Sequence, residues 1–259
     1  MFGRCLRRGQ CAVAVTAVAV ALLAGCATQV RTSPQPLPDQ RVKYHDGTPM
    51  VFSYGRTLVA VSPSNPLRSG TERPRFVVTV GNATDEPFDF DSTNITASLN
   101  GRALAVFTFE EVAAEIRKRD AISAALTAFG GALESAGARQ QGSRSSFSGS
   151  YQSNGSGGST YGAYTGTIRN SSAGQAAAAE VDARTDARVA AIRSEGESAV
   201  QTAARTMLKR TTIEPRKAHT GEIVIASFDV PPEGGALEIK VTISGEVHRF
   251  SFTQSRGSQ

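Results

Sequence analysis

Residues 95–116 read ITASLNGRALAVFTFEEVAAEI, and the hydrophobic period changes inside this stretch. Residues 95–99 and 103–107 are runs of β-formers on either side of Asn100-Gly101. That dipeptide suits a type I′ turn, whose two central residues both need positive φ, so a β-hairpin is expected. Directly after it, Thr108-Phe109-Glu110-Glu111 fits a capping box, in which the Thr108 hydroxyl accepts from the Glu111 amide and Glu111 reaches back. Phe107 and Val112 stand where a hydrophobic staple would, and Glu110, Glu111 and Glu115 crowd the end of the helix dipole that favours anions. Val112, Ile116, Ile122, Leu126, Phe129 and Leu133 follow at mostly helical spacing. A helix is therefore expected to about residue 135, weakened or ended at Gly130-Gly131.

Outward from this switch, the pattern on the N-terminal side is β. Residues 49–53, 57–62, 75–81 and 87–90 are short and rich in β-branched or aromatic residues. It is β again far downstream, over 223–230, 237–243 and 247–253. Neither half alone offers a convincing two-sheet core. The expected fold is mainly β with an α insertion: an immunoglobulin-like antiparallel β-sandwich, first part 42–108 and second part 211–254, interrupted by a helical hairpin over 109–210. Residues 255–259 are left as a tail.

The second helix should start near Ser172, where Ser172-Ala-Gly-Gln175 offers another capping box, and run to about residue 210. Val181, Thr185, Val189, Ile192, Gly196, Val200, Ala203 and Met207 form its stripe. Their spacing is an eleven-residue repeat, and a period of about 3.67 keeps such a stripe nearly straight. The stripe is thin and built of small residues, which suits close packing on another helix. Between the helices, 137–174 is Ser, Gly, Gln, Asn and Thr with scattered aromatics. Such a segment has too few apolar groups to offset its ordering entropy, so a disordered loop is one expectation. The other is a partner-contacting tip that presents Tyr151, Tyr161 and Tyr164 among small flexible residues.

The N-terminus has the three zones of a secretory signal. Arg4, Arg7 and Arg8 precede an apolar run of about a dozen residues, too short for the roughly twenty that span a bilayer. Leu23-Ala24-Gly25-Cys26 then resembles the bacterial lipoprotein lipobox. The resemblance implies a signal peptide over 1–25, cleavage before Cys26, and acylation of Cys26 that anchors the chain in a lipid bilayer. Ala27, where related lipoproteins retained in the inner membrane carry Asp, favours the outer membrane. Residues 26–41 hold Pro34, Pro36 and Pro38 and read as an extended tether of roughly 40 Å, at about 3.1 Å per residue. The formal charge of +5 falls to +2 once the three signal arginines are removed, so basicity does not point to nucleic acid. Cys5 and Cys11 leave with the signal and Cys26 carries lipid, which excludes a disulfide or thiolate metal site from the mature domain.

Two stretches are similar to the immunoglobulin-like DUF4352-type accessory domains of exported bacterial lipoproteins. One is Phe76-Val-Val-Thr-Val-Gly-Asn-Ala-Thr-Asp-Glu-Pro-Phe-Asp-Phe. The other begins at Thr212-Ile-Glu-Pro-Arg-Lys and ends at Val230-Pro, with Arg216 where that family places Gly. The resemblance implies a non-enzymatic binding or structural module and carries over no catalytic residue.

The sequence shows no GxSxG elbow and no Walker loop, and His45, His219 and His248 lack metal-site spacing. They are expected at the surface or on strand edges. Asp89 and Asp91 lack the spacing of a calcium loop and read as solvated acids at a strand edge. No cofactor and no enzymatic activity are expected. The expected role is that of a structural or protein-interaction module of the cell envelope, with an envelope protein as partner. The alternative is an assembly lipoprotein of a secretion system.

Overall fold

The computed structural model describes residues 29–155 and 158–257. The expected signal segment and Cys26 lie outside the described residues. The strands before the helices are β1 (Gln29–Gln35), β2 (Arg41–His45), β3 (Thr48–Tyr54), β4 (Thr57–Pro63), β5 (Leu67–Ser69), β6 (Arg75–Asn82), β7 (Phe88–Phe90), β8 (Ile95–Leu99), β9 (Arg102–Leu104) and β10 (Val106–Phe107). Helix α1 (Phe109–Gly142), strands β11 (Arg144–Gly155) and β12 (Gly158–Arg169) and helix α2 (Ser171–Thr206) follow. The chain returns to β with β13 (Thr211–Ile213), β14 (Ala218–Ile225), β15 (Gly235–Ile243) and β16 (Glu246–Arg256).

Two six-stranded antiparallel sheets, β5-β1-β16-β15-β8-β9 and β10-β14-β6-β4-β3-β2, form the sandwich. Each draws strands from both sides of the insertion: Ile95 of β8 pairs with Val241 of β15, and Phe76 of β6 with Ile223 of β14. That shared pairing explains why neither half is a domain alone. Strict alternation along β6 and β15 sends Phe76, Val78 and Val80 from one sheet, and Leu237, Ile239 and Val241 from the other, into one core. The rings of Phe76 and Phe252 meet there at 4.9 Å.

The turns follow from residue type. Asn100 and Gly101 both have positive φ (48° and 84°) between Leu99 and its register partner Arg102, as the sequence predicts. Arg216 also has positive φ (65°), a conformation that usually favours Gly. The Lys217 amide donates to the Glu214 carbonyl across that turn.

The chain divides at Thr108 and Met207 into the sandwich and a helical unit, Phe109–Thr206, close to the expected insertion. Three expectations are corrected. Within the expected tether, Gln29–Gln35 is a strand of the sandwich: β1 pairs with β16 from Val30↔Arg256 to Gln35↔Ser251 and buries Val30 and Thr32. Pro34 is tolerated because β5 covers only Gln29–Arg31, and past that point the strand edge needs no donor. Gly130-Gly131 does not end α1, which continues to Gly142. The segment between the helices is a twelve-rung antiparallel hairpin from Arg144↔Arg169 to Gly155↔Gly158, not a disordered loop.

Candidate functional site

Helices α1 and α2 run antiparallel, and small residues set how closely they approach. A Cβ on Gly131 would lie 2.2–2.8 Å from the Thr185 side chain, and one on Gly196 would overlap the Asp120 carboxylate. A Cβ on Gly142 would lie 3.2 Å from the Gly174 Cα. These crossings, 120/196, 131/185 and 142/174, lie eleven residues apart on each helix. The expected stripe of α2 is therefore the one that packs from Val181 to Ala203, but the helix ends at Thr206, and Met207 instead bridges Glu222 in the sandwich. The counterpart of that stripe on α1 is Ala113, Asp120, Ala124, Thr127, Gly131 and Ser135, which are buried or half-buried.

The large apolar residues of α1 are on the other side. Positions 129 and 131 are about 200° apart on a helix, so a stripe through 122, 126, 129 and 133 faces away from the seam. Ile122, Leu126, Phe129 and Leu133 are accordingly 52%, 67%, 65% and 61% exposed. Residues 121–133 contain no charged side chain. Beside the stripe, an open groove of about 630 Å³ runs between the helices, lined by Ala121, Ala125, Ala128, Val189 and Val200 with Arg193 and Glu197 at its rim. Four large apolar side chains are thus exposed on one uncharged stretch of a helix face. Among the described residues no helix is long and apolar enough to cross a membrane.

The sandwich holds a second polar constellation that the sequence reading missed. His248 is 2% exposed, not a surface residue, because β16 turns it into the space between the sheets. Its Nδ1 lies 2.9 Å from Ser53 Oγ and its Nε2 2.8 Å from Thr57 Oγ1. The Thr57 hydroxyl donates to Glu246 Oε2 at 2.8 Å, and the amides of Arg56 and Thr57 donate to the same carboxylate at 3.0 Å each. With its one proton given to Glu246, Thr57 must accept from Nε2–H of His248. Burial disfavours the charged form of Glu246, but the Thr57 hydroxyl, the two amides and the neighbouring His248 outweigh it and hold its pKa below the ordinary range. A cleft of about 370 Å³ reaches Thr57 and Glu246, with Arg56, Asp85 and Glu86 on its wall. Ser53 does not line that cleft. The network joins β3 and β4 of one sheet to β16 of the other, so its evident work is to tie the sheets together. Gly55 has no Cβ because Glu246 Oε1 occupies that space.

The remaining expected residues are placed as follows. Tyr164 is 51% exposed; its ring lies across its register partner Gly149 and 6.1 Å from the Phe147 ring. Tyr151 stands in β11 opposite Gly162, and Tyr161 in β12 opposite Gln152; their side chains lie outside the described residues. Position 161 is one residue out of step with 151 and 164 in the pleat. Asp89 accepts from Arg210 at 2.6 Å and Thr212 at 2.7 Å, and Asp91 accepts from the Thr93 amide to cap a 3₁₀ turn. The Thr212 hydroxyl and the Arg210 guanidinium hold the Asp89 carboxyl below its ordinary pKa. His45 sits in an exposed contact with Asp46. Among the described residues, no group of three His, Cys, Asp or Glu is placed to hold a metal ion.

Protein-family models, curated proteins and solved structures were all compared with this chain, and none matches it.

Proposed function

We propose that this chain is a lipid-anchored lipoprotein of the bacterial outer membrane that works by protein contact. The anchor would be acylated Cys26. Because β1 belongs to the sandwich, the anchor would hold the β domain close to the bilayer instead of on a long tether. The reading is supported by one observation above the others: the uncharged outer face of α1, with four large apolar side chains more than half exposed. A helical unit with a close-packed seam of its own does not need that face for folding, which leaves it for a partner. The polar network around His248 is consumed in joining the sheets and offers no reacting group to the cleft beyond Thr57 and Glu246.

Two readouts on the full chain in cells test the reading. Mass spectrometry of the N-terminal peptide should find Cys26 acylated, and Cys26→Ala should release the chain from the membrane fraction. A photo-crosslinking residue at Phe129 should yield a discrete protein adduct. An unmodified Cys26 would remove the anchor, and a probe at Phe129 that captures no protein would remove the contact role.

A further inference from the structure

The exposed stripe of α1 has a symmetry of its own. Ile122, Leu126, Phe129 and Leu133 are spaced 4, 3, 4, which reads the same in both directions. A two-fold interface brings one surface patch against itself. If two copies of α1 are laid antiparallel about a point between residues 127 and 128, Ile122 faces Leu133 of the second copy and Leu126 faces Phe129. The 4-3-4 spacing is also that of the a and d positions of a helix-pairing seam.

The flanks fit the same arrangement. Beside the stripe, Ala125 comes opposite Gly130, so nothing bulky holds the helices apart. At the ends, Lys118 comes opposite Gly137 and Arg119 opposite Ala136, which leaves room for the aliphatic stems of the long basic residues to lie over the partner helix. A parallel arrangement would instead set Lys118, Arg119 and Glu115 against their own copies, with like charges facing. A stable interface takes about 800 Å² from each partner. A single helix face reaches that order only if the backbones come close, and the small residues on this one permit it. The groove beside the stripe continues the apolar surface through Ala121, Ala125 and Ala128 and is bounded by the charged Arg117, Asp120, Arg193 and Glu197.

We infer that the cover for this face is a second copy of this chain, packed antiparallel through Ile122, Leu126, Phe129 and Leu133 to form a two-fold four-helix assembly. The inference rests on the contact reading of the face given above and names its partner.

The test uses the full chain, extracted from the envelope in mild detergent, with two differently tagged copies expressed together. A benzoylphenylalanine at position 129 of one copy should crosslink to the peptide around Leu126 of the other. Light scattering should give a native protein mass of two chains. Leu126→Glu with Phe129→Glu should halve that mass while leaving the helical circular dichroism unchanged, since both positions are exposed. An adduct to a different protein would overturn the self-pairing and leave the contact role standing. An adduct to phospholipid alone, or none, would overturn both. A mass of one chain at about 100 μM, or a two-chain mass that survives the double substitution, would also overturn the inference.

Discussion

The sandwich and the helical unit bury opposite things. In the sandwich, the largest apolar side chains are the most enclosed: Phe76, Phe250 and Phe252 are fully buried. In the helical unit, the buried positions are Ala113, Ala124, Gly131, Ser135, Gly174, Ala178, Val181 and Gly196, while Ile122, Leu126, Phe129 and Leu133 face out. The first region is held by apolar area removed from water, at about 25 cal/mol per Å². The second is held by close backbone approach and dispersion along a narrow seam. A hydrophobic stripe at helical spacing thus need not be the stripe that packs within the fold.

The contrast predicts different responses to truncation and to enlargement. Phe252→Ala should cost the sandwich about 3–5 kcal/mol, since its ring packs on Phe76 and on neighbours from both sheets. Hydrogen exchange should show lost protection in β15 and β16 and unchanged protection in the middle of α2. Equal loss in α2 would mean that the two units unfold as one, and the contrast would fail.

The seam should be insensitive to truncation and intolerant of added atoms. Gly130 and Gly131 are adjacent in sequence but differ in surroundings: a Cβ at 130 meets nothing within 4 Å, and one at 131 strikes Thr185. Gly130→Ala should stabilise the helical unit by about 1 kcal/mol through helix propensity. Gly131→Ala gains the same propensity but overpacks the seam, which typically costs about 1–3 kcal/mol, so it should be destabilising overall. Adding Thr185→Ala should recover most of the loss. Chemical denaturation followed at 222 nm reads all three variants. A stabilising Gly131→Ala would show that the seam is looser than these contacts require.

The sandwich also has a pH-sensitive joint. The folded pKa of Glu246 is held below its unfolded value, so its contribution is present above about pH 4.3 and is lost as pH falls through the folded pKa. Glu246→Gln should cost about 1–2 kcal/mol at pH 7, where hydrogen bonds to a charged acceptor are weakened, and less as pH falls below the unfolded value. Denaturation of the two proteins across that range would show the gap closing with acid. A gap that is constant with pH would mean that the charge of Glu246 plays no part in the joint.

How much of this was legible follows from what each element depends on. The hairpin at Asn100-Gly101 and the eleven-residue stripe of α2 were readable because turn chemistry and periodicity are local. The α1 seam was not, since its residues are Ala, Asp, Thr, Gly and Ser, and the eye follows the larger side chains that turned out to face solvent. The strand at Gln29–Gln35 was hidden by Pro34, whose cost vanishes only at an unpaired edge that tertiary structure creates. The buried role of His248 depends on Ser53 and Thr57, both more than 190 positions away, which no spacing rule connects. The hairpin between the helices did carry a signal: Phe147-Ser-Gly149-Ser-Tyr151 is complementary to Gly162-Ala-Tyr164-Thr-Gly166, so each aromatic is paired with a glycine across the strands. Composition alone conceals that match.

The smallest predicted effect tests where the helical unit begins its second half. The sequence suggests Ser172 as the cap of α2, but the structure gives that part to Asn170. Asn170 Oδ1 accepts from the amides of Ser172 at 3.1 Å and Ala173 at 3.4 Å, and from the Ser172 hydroxyl at 2.6 Å. Its amide also donates to Ser143, which joins the helix start to the base of the β11–β12 hairpin. Asn170→Ala removes the side-chain acceptor and leaves two amides of the first turn without it, at a typical cost of about 1 kcal/mol. Ser172→Ala removes only a donor to the same oxygen and should cost a few tenths. Amide exchange in the first turn of α2 separates the two substitutions without requiring global unfolding. A larger effect from Ser172→Ala would move the cap back to the residue that the sequence points to, and the seam would then have to start two residues later.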